Sequence, residues 1–110
     1  MTIDKQTFKR IYTALLTPMH ENGNIDFDSL HRLVRHQIEQ GIAGFYAAGS
    51  TGEAFLLSMQ ERKDVLEAII GSAAKRATVI AHTGSIGTRE SVELAAHAET
   101  IGADAVSAVV

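Results

Sequence analysis

The sequence predicts an α/β fold in which strands and helices alternate around a parallel sheet. Three observations carry that expectation. Short apolar runs alternate with longer amphipathic stretches, helix-start signals stand ahead of the amphipathic stretches, and Gly41 and Gly102 follow two of them where a helix would close. Four strands and three helices result, in the order strand-helix-strand-helix-strand-helix-strand, with no linker or low-complexity tract between them.

The first strand is expected from Ile11 to Leu16, ended by Thr17-Pro18, and a turn follows around Asn22-Gly23. Asp26 is placed to cap the first helix, with Ile25 and Leu30 as a hydrophobic staple and Phe27, Leu30, Val34 and Ile38 along one stripe. Gly44 to Gly49 reads as the second strand. Ser58-Met59-Gln60-Glu61 then spells a capping box, in which serine and glutamate each satisfy a backbone donor that the first helical turn would leave without a partner. The second helix packs through Val65, Leu66, Ile69, Ile70 and Ala73, and Lys75 and Arg76 complement the negative end of its dipole. On that reading Glu61, Arg62, Lys63, Asp64 and Glu67 form its solvated face. Thr78 to His82 is the third strand. Thr88 is expected to cap a third helix whose inner stripe is Val92, Ala95, Ala96 and Ile101, and the near-continuously apolar run Asp104 to Val110 reads as a fourth strand covered on both faces.

Two architectures fit this alternation, an open doubly wound sheet or the beginning of a (βα)8 barrel. Length alone favours the first, since a barrel typically needs about 250 residues. The turn after the first strand nevertheless lacks G-x-G-x-x-G, and no G-x-x-x-x-G-K-[ST] loop occurs, so nucleotide binding is disfavoured.

Composition narrows the functional classes. Ten Lys and Arg against thirteen Asp and Glu, a net charge of −3, are spread without basic blocks, which leaves no footprint for nucleic acid or a lipid surface. No apolar run approaches the roughly 18 residues of a membrane span, and the first ten residues have no apolar core of the secretory kind. A cytoplasmic protein is expected. The absence of cysteine removes disulfides, thiolate metal sites and cysteine nucleophiles. A small-molecule partner or another protein remains.

The most distinctive stretch is Gly49-Ser50-Thr51-Gly52-Glu53, where the second strand ends. Loops at strand C-termini carry the sites of α/β enzymes. Glycines flanking two hydroxyl residues let the chain turn tightly and expose N–H groups, an arrangement suited to a carboxylate. On spacing alone the stretch reads equally as a glycine-rich turn with no ligand. His82, near the end of the third strand, is expected to pack and hydrogen-bond in the core, with no catalytic role. His20, His31, His36 and His97 read as surface residues, and the five-residue step from His31 to His36 does not suit a helical metal site. Ser50 has no sequence-evident base, so no Ser-His-Asp constellation is identified.

Ala14-Leu15-Leu16-Thr17-Pro18, Gly49-Ser50-Thr51-Gly52-Glu53, Leu57-Ser58, Glu61-Arg62 and Asp104-Ala105-Val106, in this order, resemble the dihydrodipicolinate synthase and N-acetylneuraminate lyase superfamily from Ile11 onward. Gly52-Glu53-Ala54-Phe55, Ala81-His82-Thr83-Gly84 and Ala105-Val106-Ser107-Ala108-Val109 are closer to its lyase branch; the synthases more often resemble Ala-Gly-Thr-Gly where His82 stands. The resemblance implies the N-terminal half of a (βα)8 barrel, one partial domain over residues 1–110 ending after its fourth strand. It implies a class I aldolase, in which a lysine forms a Schiff base with pyruvate and the lyase cleaves N-acetylneuraminate to pyruvate and N-acetylmannosamine, with no cofactor and no metal. By the same match Ser50 and Thr51 would bind the pyruvate carboxylate, Ser50 would also help position a catalytic tyrosine, Gly49 and Gly52 would shape the loop, and Glu53 would serve as structural support.

The chain departs from the family pattern in one important respect. The Thr-Pro-aromatic loop after strand four, the tyrosine after strand five and the Schiff-base lysine on strand six have no counterpart in these 110 residues. The lysines are Lys5 and Lys9 ahead of the first strand, Lys63 within the second helix and Lys75 at its end, none of them at a strand's C-terminal end. Tyr12 and Tyr46 lie early in their strands and read as core or barrel-bottom residues. The chain alone is therefore expected to be inactive. Its open first and fourth strands are expected to recruit a second copy, giving a homo-oligomer.

Overall fold

The computed structural model describes residues 4–109. Four parallel strands, β1 (Tyr12–Ala14), β2 (Gly44–Ala47), β3 (Thr78–His82) and β4 (Ala105–Ser107), alternate with helices α1 (Phe27–Glu39), α2 (Met59–Ala73) and α3 (Thr88–Ile101). Short 3₁₀ turns occupy Lys5–Phe8 and Ala54–Leu56.

Strand order in the sheet is β1-β2-β3-β4, so every crossover places a strand beside its predecessor. A doubly wound sheet reverses direction at a switch point and carries helices on both faces; this one does neither. α1 packs on α2 and α2 on α3, all against one face. The register Ala14↔Tyr46, Tyr46↔Ile80 and Ile80↔Ala105 runs along the opposite face, where these side chains are exposed or half-buried. Phe45, Ala47, Val79 and Ala81 point the other way, into a core with Leu30 and Val34 of α1, Val65, Leu66 and Ile69 of α2, and Ala98 of α3. Burying such side chains contributes about 1.5–3 kcal/mol each for Val, Leu, Ile or Phe, and this is what fixes the helices to the sheet.

Helix starts behave largely as their sequences dictate. Asp26 accepts from the Ser29 N–H at 3.0 Å, and Ser58 and Glu61 exchange both capping-box bonds at 3.1 and 2.8 Å. The third start differs from expectation. Gly87, not Thr88, is the N-cap, and it makes no side-chain capping bond; Thr88 is already helical and exposed. At the ends, Gly41 and Gly102 take the left-handed φ of 93° and 92° that a closing residue needs. Arg76 donates from Nε to the Ala73 carbonyl and from Nη2 to that of Ser72.

Three further expectations are corrected. The buried residues of α3 are Leu94 and Ala98, while Val92 is 63% exposed and Ala96 is exposed. Of the expected stripe, Ile101 does pack against the core and Ala95 is half-buried, while Val92 and Ala96 lie off the core-facing side of the helix. β4 is shorter than expected and is not covered on both faces, since Val106 is 43% exposed: β4 is the sheet's edge, and among the described residues nothing packs outside it. Val110, placed in that strand from sequence, lies outside the described residues. Arg62 is buried in α2 rather than solvated, at 5% exposure. Its neighbours on the expected solvated face join α2 to α3, with Lys63 3.1 Å from Glu93 and Glu67 3.4 Å from His97, which is half-buried and not a surface residue.

Among the described residues no helix is long and apolar enough to cross a membrane, and no cluster of three His, Asp or Glu could hold a metal ion.

Candidate active site

The C-terminal ends of the strands bring together the loops after β1, β2 and β3. In the β2 loop, Ser50 and Thr51 are exposed, while Gly49 and Gly52 on either side are buried. Backbone bonds from the Glu53 N–H to the Ser50 carbonyl (3.0 Å) and from the Ala54 N–H to the Gly49 carbonyl (3.1 Å) fold the segment into a turn. Among the described residues the N–H groups of Ser50, Thr51 and Gly52 have no acceptor. The turn therefore presents two hydroxyls and a set of backbone donors together, which is chemistry suited to an anionic oxygen.

The glycines permit this turn through the space they leave rather than through a left-handed backbone. Neither takes positive φ; the left-handed residues are Ala48 and Glu53, at 51° and 61°. Gly49 is required by space, because a Cβ there would come 2.5 Å from Cε1 of Tyr46. Gly52 is tight against backbone: a Cβ would lie 3.0 Å from the Leu15 carbonyl oxygen and 3.1 Å from Ala48 Cα. Thr17, from the loop after β1, donates its hydroxyl to the Gly52 carbonyl at 2.8 Å and ties the two loops. Left-handed conformation costs a non-glycine residue about 1–2 kcal/mol, so Ala48 holds only because its surroundings impose it.

Those surroundings are Tyr46, His82 and Arg62. Tyr46 is not a barrel-bottom residue: its ring covers Gly49, and its hydroxyl donates to Ser107 Oγ at 3.1 Å across β3. Tyr12, in contrast, stays at the opposite end, its ring over Gly44 and its hydroxyl on the Thr7 carbonyl. His82 is buried, as expected, at 4% exposure, with Nδ1 2.8 Å from the Ala48 carbonyl oxygen. Burial, and then the Arg62 charge, lower its pKa below the ordinary histidine value, against the raising effect of the Ala48 bond. Arg62 donates to the carbonyls of Gly84 and His82 at 2.7 and 3.0 Å. Burial lowers its pKa from the usual arginine value, and Glu90 opposes that shift.

The lysines stand away from this loop. Lys63 is paired on the helical layer, and Lys75 lines a cavity of about 390 Å³ with Arg10, Arg76, Thr78 and Asp104 at the N-terminal end of the strands. That cavity is remote from the conjunction of loops. A smaller groove of about 150 Å³, between Phe55, Leu57, Met59 and Ile86, borders the site at the C-terminal end.

A profile of the dihydrodipicolinate synthetase family matches residues 7–110. The chain belongs to this family. It is 50% identical over 99 residues to N-acetylneuraminate lyase of Citrobacter koseri, a match covering 90% of this chain and 33% of that protein. Among solved structures it resembles N-acetylneuraminate lyase of Mycoplasma synoviae (TM-score 0.91, 34% identity, 96% of this chain and 36% of that one). It also resembles dihydrodipicolinate synthase of Aquifex aeolicus (TM-score 0.88, 38% identity, 92% and 34%). The chain thus spans about a third of the relatives it matches, and its four parallel strands correspond to the N-terminal part of the family's barrel. Family membership explains why order β1-β2-β3-β4 prevails over the doubly wound alternative: a barrel sheet closes by adding each strand to the same side.

Proposed function

We propose that the Ser50-Thr51 turn receives the carboxylate of pyruvate, and that the chain contributes this subsite to a pyruvate-dependent carbon–carbon lyase of the N-acetylneuraminate lyase kind. The observation that carries the reading is the turn itself: two exposed hydroxyls and unengaged N–H groups at the strand ends, locked by buried glycines and by Thr17. The 50% identity to a lyase supports the lyase branch over the synthase branch. His82 supports it as well, because it fills a position where the synthases more often resemble glycine.

The turn would orient pyruvate and neutralise its carboxylate by hydrogen bonds. Imine formation needs in addition an unprotonated amine within reach of the carbonyl, which attacks, loses water and leaves a protonated imine as electron sink. No lysine of this chain stands at the turn, so the chain's own share is ground-state binding and orientation, without transition-state stabilisation. A non-catalytic assembly module is the competing reading, and it predicts no response to pyruvate.

Titration of the labelled chain with pyruvate, followed by amide resonances, tests this. The Ser50, Thr51 and Gly52 signals are expected to move saturably. Thr51→Val keeps the shape and removes the donor; loss of one charge-assisted bond, about 1.5–3 kcal/mol, weakens apparent affinity about tenfold or more. Unchanged affinity in that variant removes Thr51 from the subsite, and absence of any saturable change removes the subsite.

A further inference from the structure

We propose that His82 is a positioning residue for the carboxylate turn: as a neutral imidazole protonated on Nδ1, it clamps the Ala48 carbonyl and so sets the direction of Ser50 and Thr51. This rests on the reading of that turn as a pyruvate subsite, and it adds a residue with a defined protonation state behind it.

Hydrogen-bond chemistry fixes the tautomer. Nδ1 lies 2.8 Å from the Ala48 oxygen and 3.2 Å from Nη2 of Arg62. A carbonyl only accepts and a guanidinium only donates, so Nδ1 cannot serve both. If Nδ1 carried a lone pair, it would face the Ala48 oxygen at the shorter distance with no proton between them. Nη2 is satisfied elsewhere, by the His82 carbonyl at 3.0 Å, and Nη1 by that of Gly84 at 2.7 Å. The proton therefore belongs on Nδ1. Nε2 is buried without a hydrogen-bond partner among the described residues and packs beside Gly84, where a Cβ would come 2.7 Å from it. A proton on Nε2 would have no acceptor and would put a second cation beside the guanidinium.

The ring is held on its flanks too. The Phe55 ring meets it edge-on at 5.9 Å between centroids, and the Tyr46 ring lies tilted at 6.0 Å. The imidazole is thus a fixed donor aimed at one carbonyl. That carbonyl belongs to the left-handed residue, φ 51°, from which the chain enters the turn. Ser50 and Thr51 follow two and three positions on, so rotation of the Ala48 peptide would redirect both hydroxyls.

The test begins with the unaltered chain. Long-range nitrogen–proton correlation of the His82 ring is expected to show Nδ1 protonated and Nε2 bare at neutral pH; a ring protonated on Nε2 overturns the proposal without any variant. Two substitutions then separate a donor from a filler. His82→Asn offers an amide N–H where Nδ1 stands, and His82→Gln offers one where Nε2 stands. The Gln variant is expected to speed amide exchange at Ser50, Thr51 and Gly52 and to weaken pyruvate binding, each about tenfold or more, equivalent to about 1.4 kcal/mol; the Asn variant is expected to restore most of both. Equal disturbance of the turn by folded Asn and Gln variants overturns the clamp. If pyruvate fails to bind the unaltered chain, the subsite reading falls, while the tautomer and the exchange rates still decide whether His82 holds the turn.

Discussion

Arg62 on α2 donates from Nη1 to the carbonyl of Gly84 at 2.7 Å, reaching across the layer boundary to the loop that follows β3. Its Nη2 takes the His82 carbonyl at 3.0 Å, so a single guanidinium closes off the end of β3 on the helical side. The two carbonyls would otherwise be buried at a strand terminus where the sheet supplies no donors. Arg62 thus serves in the interior the purpose that a capping residue serves at a helix end.

Arg62→Ala is expected to destabilise the fold by about 3 kcal/mol, because it leaves two buried acceptors without donors at about 1–3 kcal/mol each. Arg62→Lys can reach one carbonyl at a time and is expected to recover about half. Urea denaturation midpoints at constant slope measure both. A loss under about 1 kcal/mol for the alanine variant would mean that water replaces the guanidinium.

Acid is expected to weaken the fold through His82. Its folded pKa is depressed by burial, then by Arg62, and the charged or titratable groups around it are Arg62 on α2, Glu90 on α3 beyond Arg62, His97 on α3 across a small shared cavity, and Tyr46 on β2. With a folded value below the unfolded one, the unfolded chain binds the proton more readily. The stabilisation is therefore complete above the unfolded value of about 6.5 and is lost as pH falls below it. Unfolding free energies measured from pH 7.5 down to 5 should fall with pH in the native chain. The fall should be shallower in His82→Asn, which has nothing to titrate at that position. Parallel curves would exclude His82 as the source.

How much of this arrangement could be read from sequence differs by element. Helices α1 and α2 were legible because local chemistry decides them: Asp26 and Ser58-Glu61 act on donors within three residues, and their stripes repeat at helical spacing. The carboxylate turn was legible as composition, but the reason for its glycines was not, since Gly49 answers to the Tyr46 ring and Gly52 to the Leu15 and Ala48 backbone. Arg62 was misread because its charge outweighed its position. At 62, 65, 66 and 69 it falls on the same stripe as Val65, Leu66 and Ile69, and that spacing was the available signal. On α3 the error ran the other way: Ile101 was placed rightly, but the apolar character of Val92 was favoured over Leu94 and Ala98, which share the core-facing stripe with Ile101.

Gly49→Ala is expected to cost about 1–3 kcal/mol, the usual penalty of forcing a methyl into packed surroundings. The new Cβ would meet Tyr46 Cε1 and Cδ1 at 2.5 and 2.6 Å, and moving the ring breaks the bond to Ser107. The origin of the cost can be isolated, because Tyr46→Ala removes the obstacle. In that background Gly49→Ala should cost under about 0.5 kcal/mol, a coupling of the size that contacting residues show. Additive costs in the double variant would place the strain in the backbone of Gly49 instead.

The chain by itself is expected to form no covalent adduct with pyruvate, even where the turn binds the carboxylate. An imine requires an amine that is partly unprotonated near neutral pH and lies close to the carbonyl carbon while the carboxylate is held. Lys63 fails on place: it belongs to the helical layer, where it pairs with Glu93 at 3.1 Å. Lys75 follows the end of α2 beside Arg10 and Arg76, at the end of the sheet away from Ser50 and Thr51. Lys5 and Lys9 belong to the segment ahead of β1, also away from the turn. Holding the substrate's carboxylate without a nucleophile lowers its ground state and leaves the barrier intact. The measurement is reduction with borohydride in the presence of pyruvate, followed by intact mass. Unchanged mass is expected. A single reduced adduct mapped to one of the four lysines would identify a nucleophile within the chain, and the division of labour between carboxylate turn and amine argued above would fail.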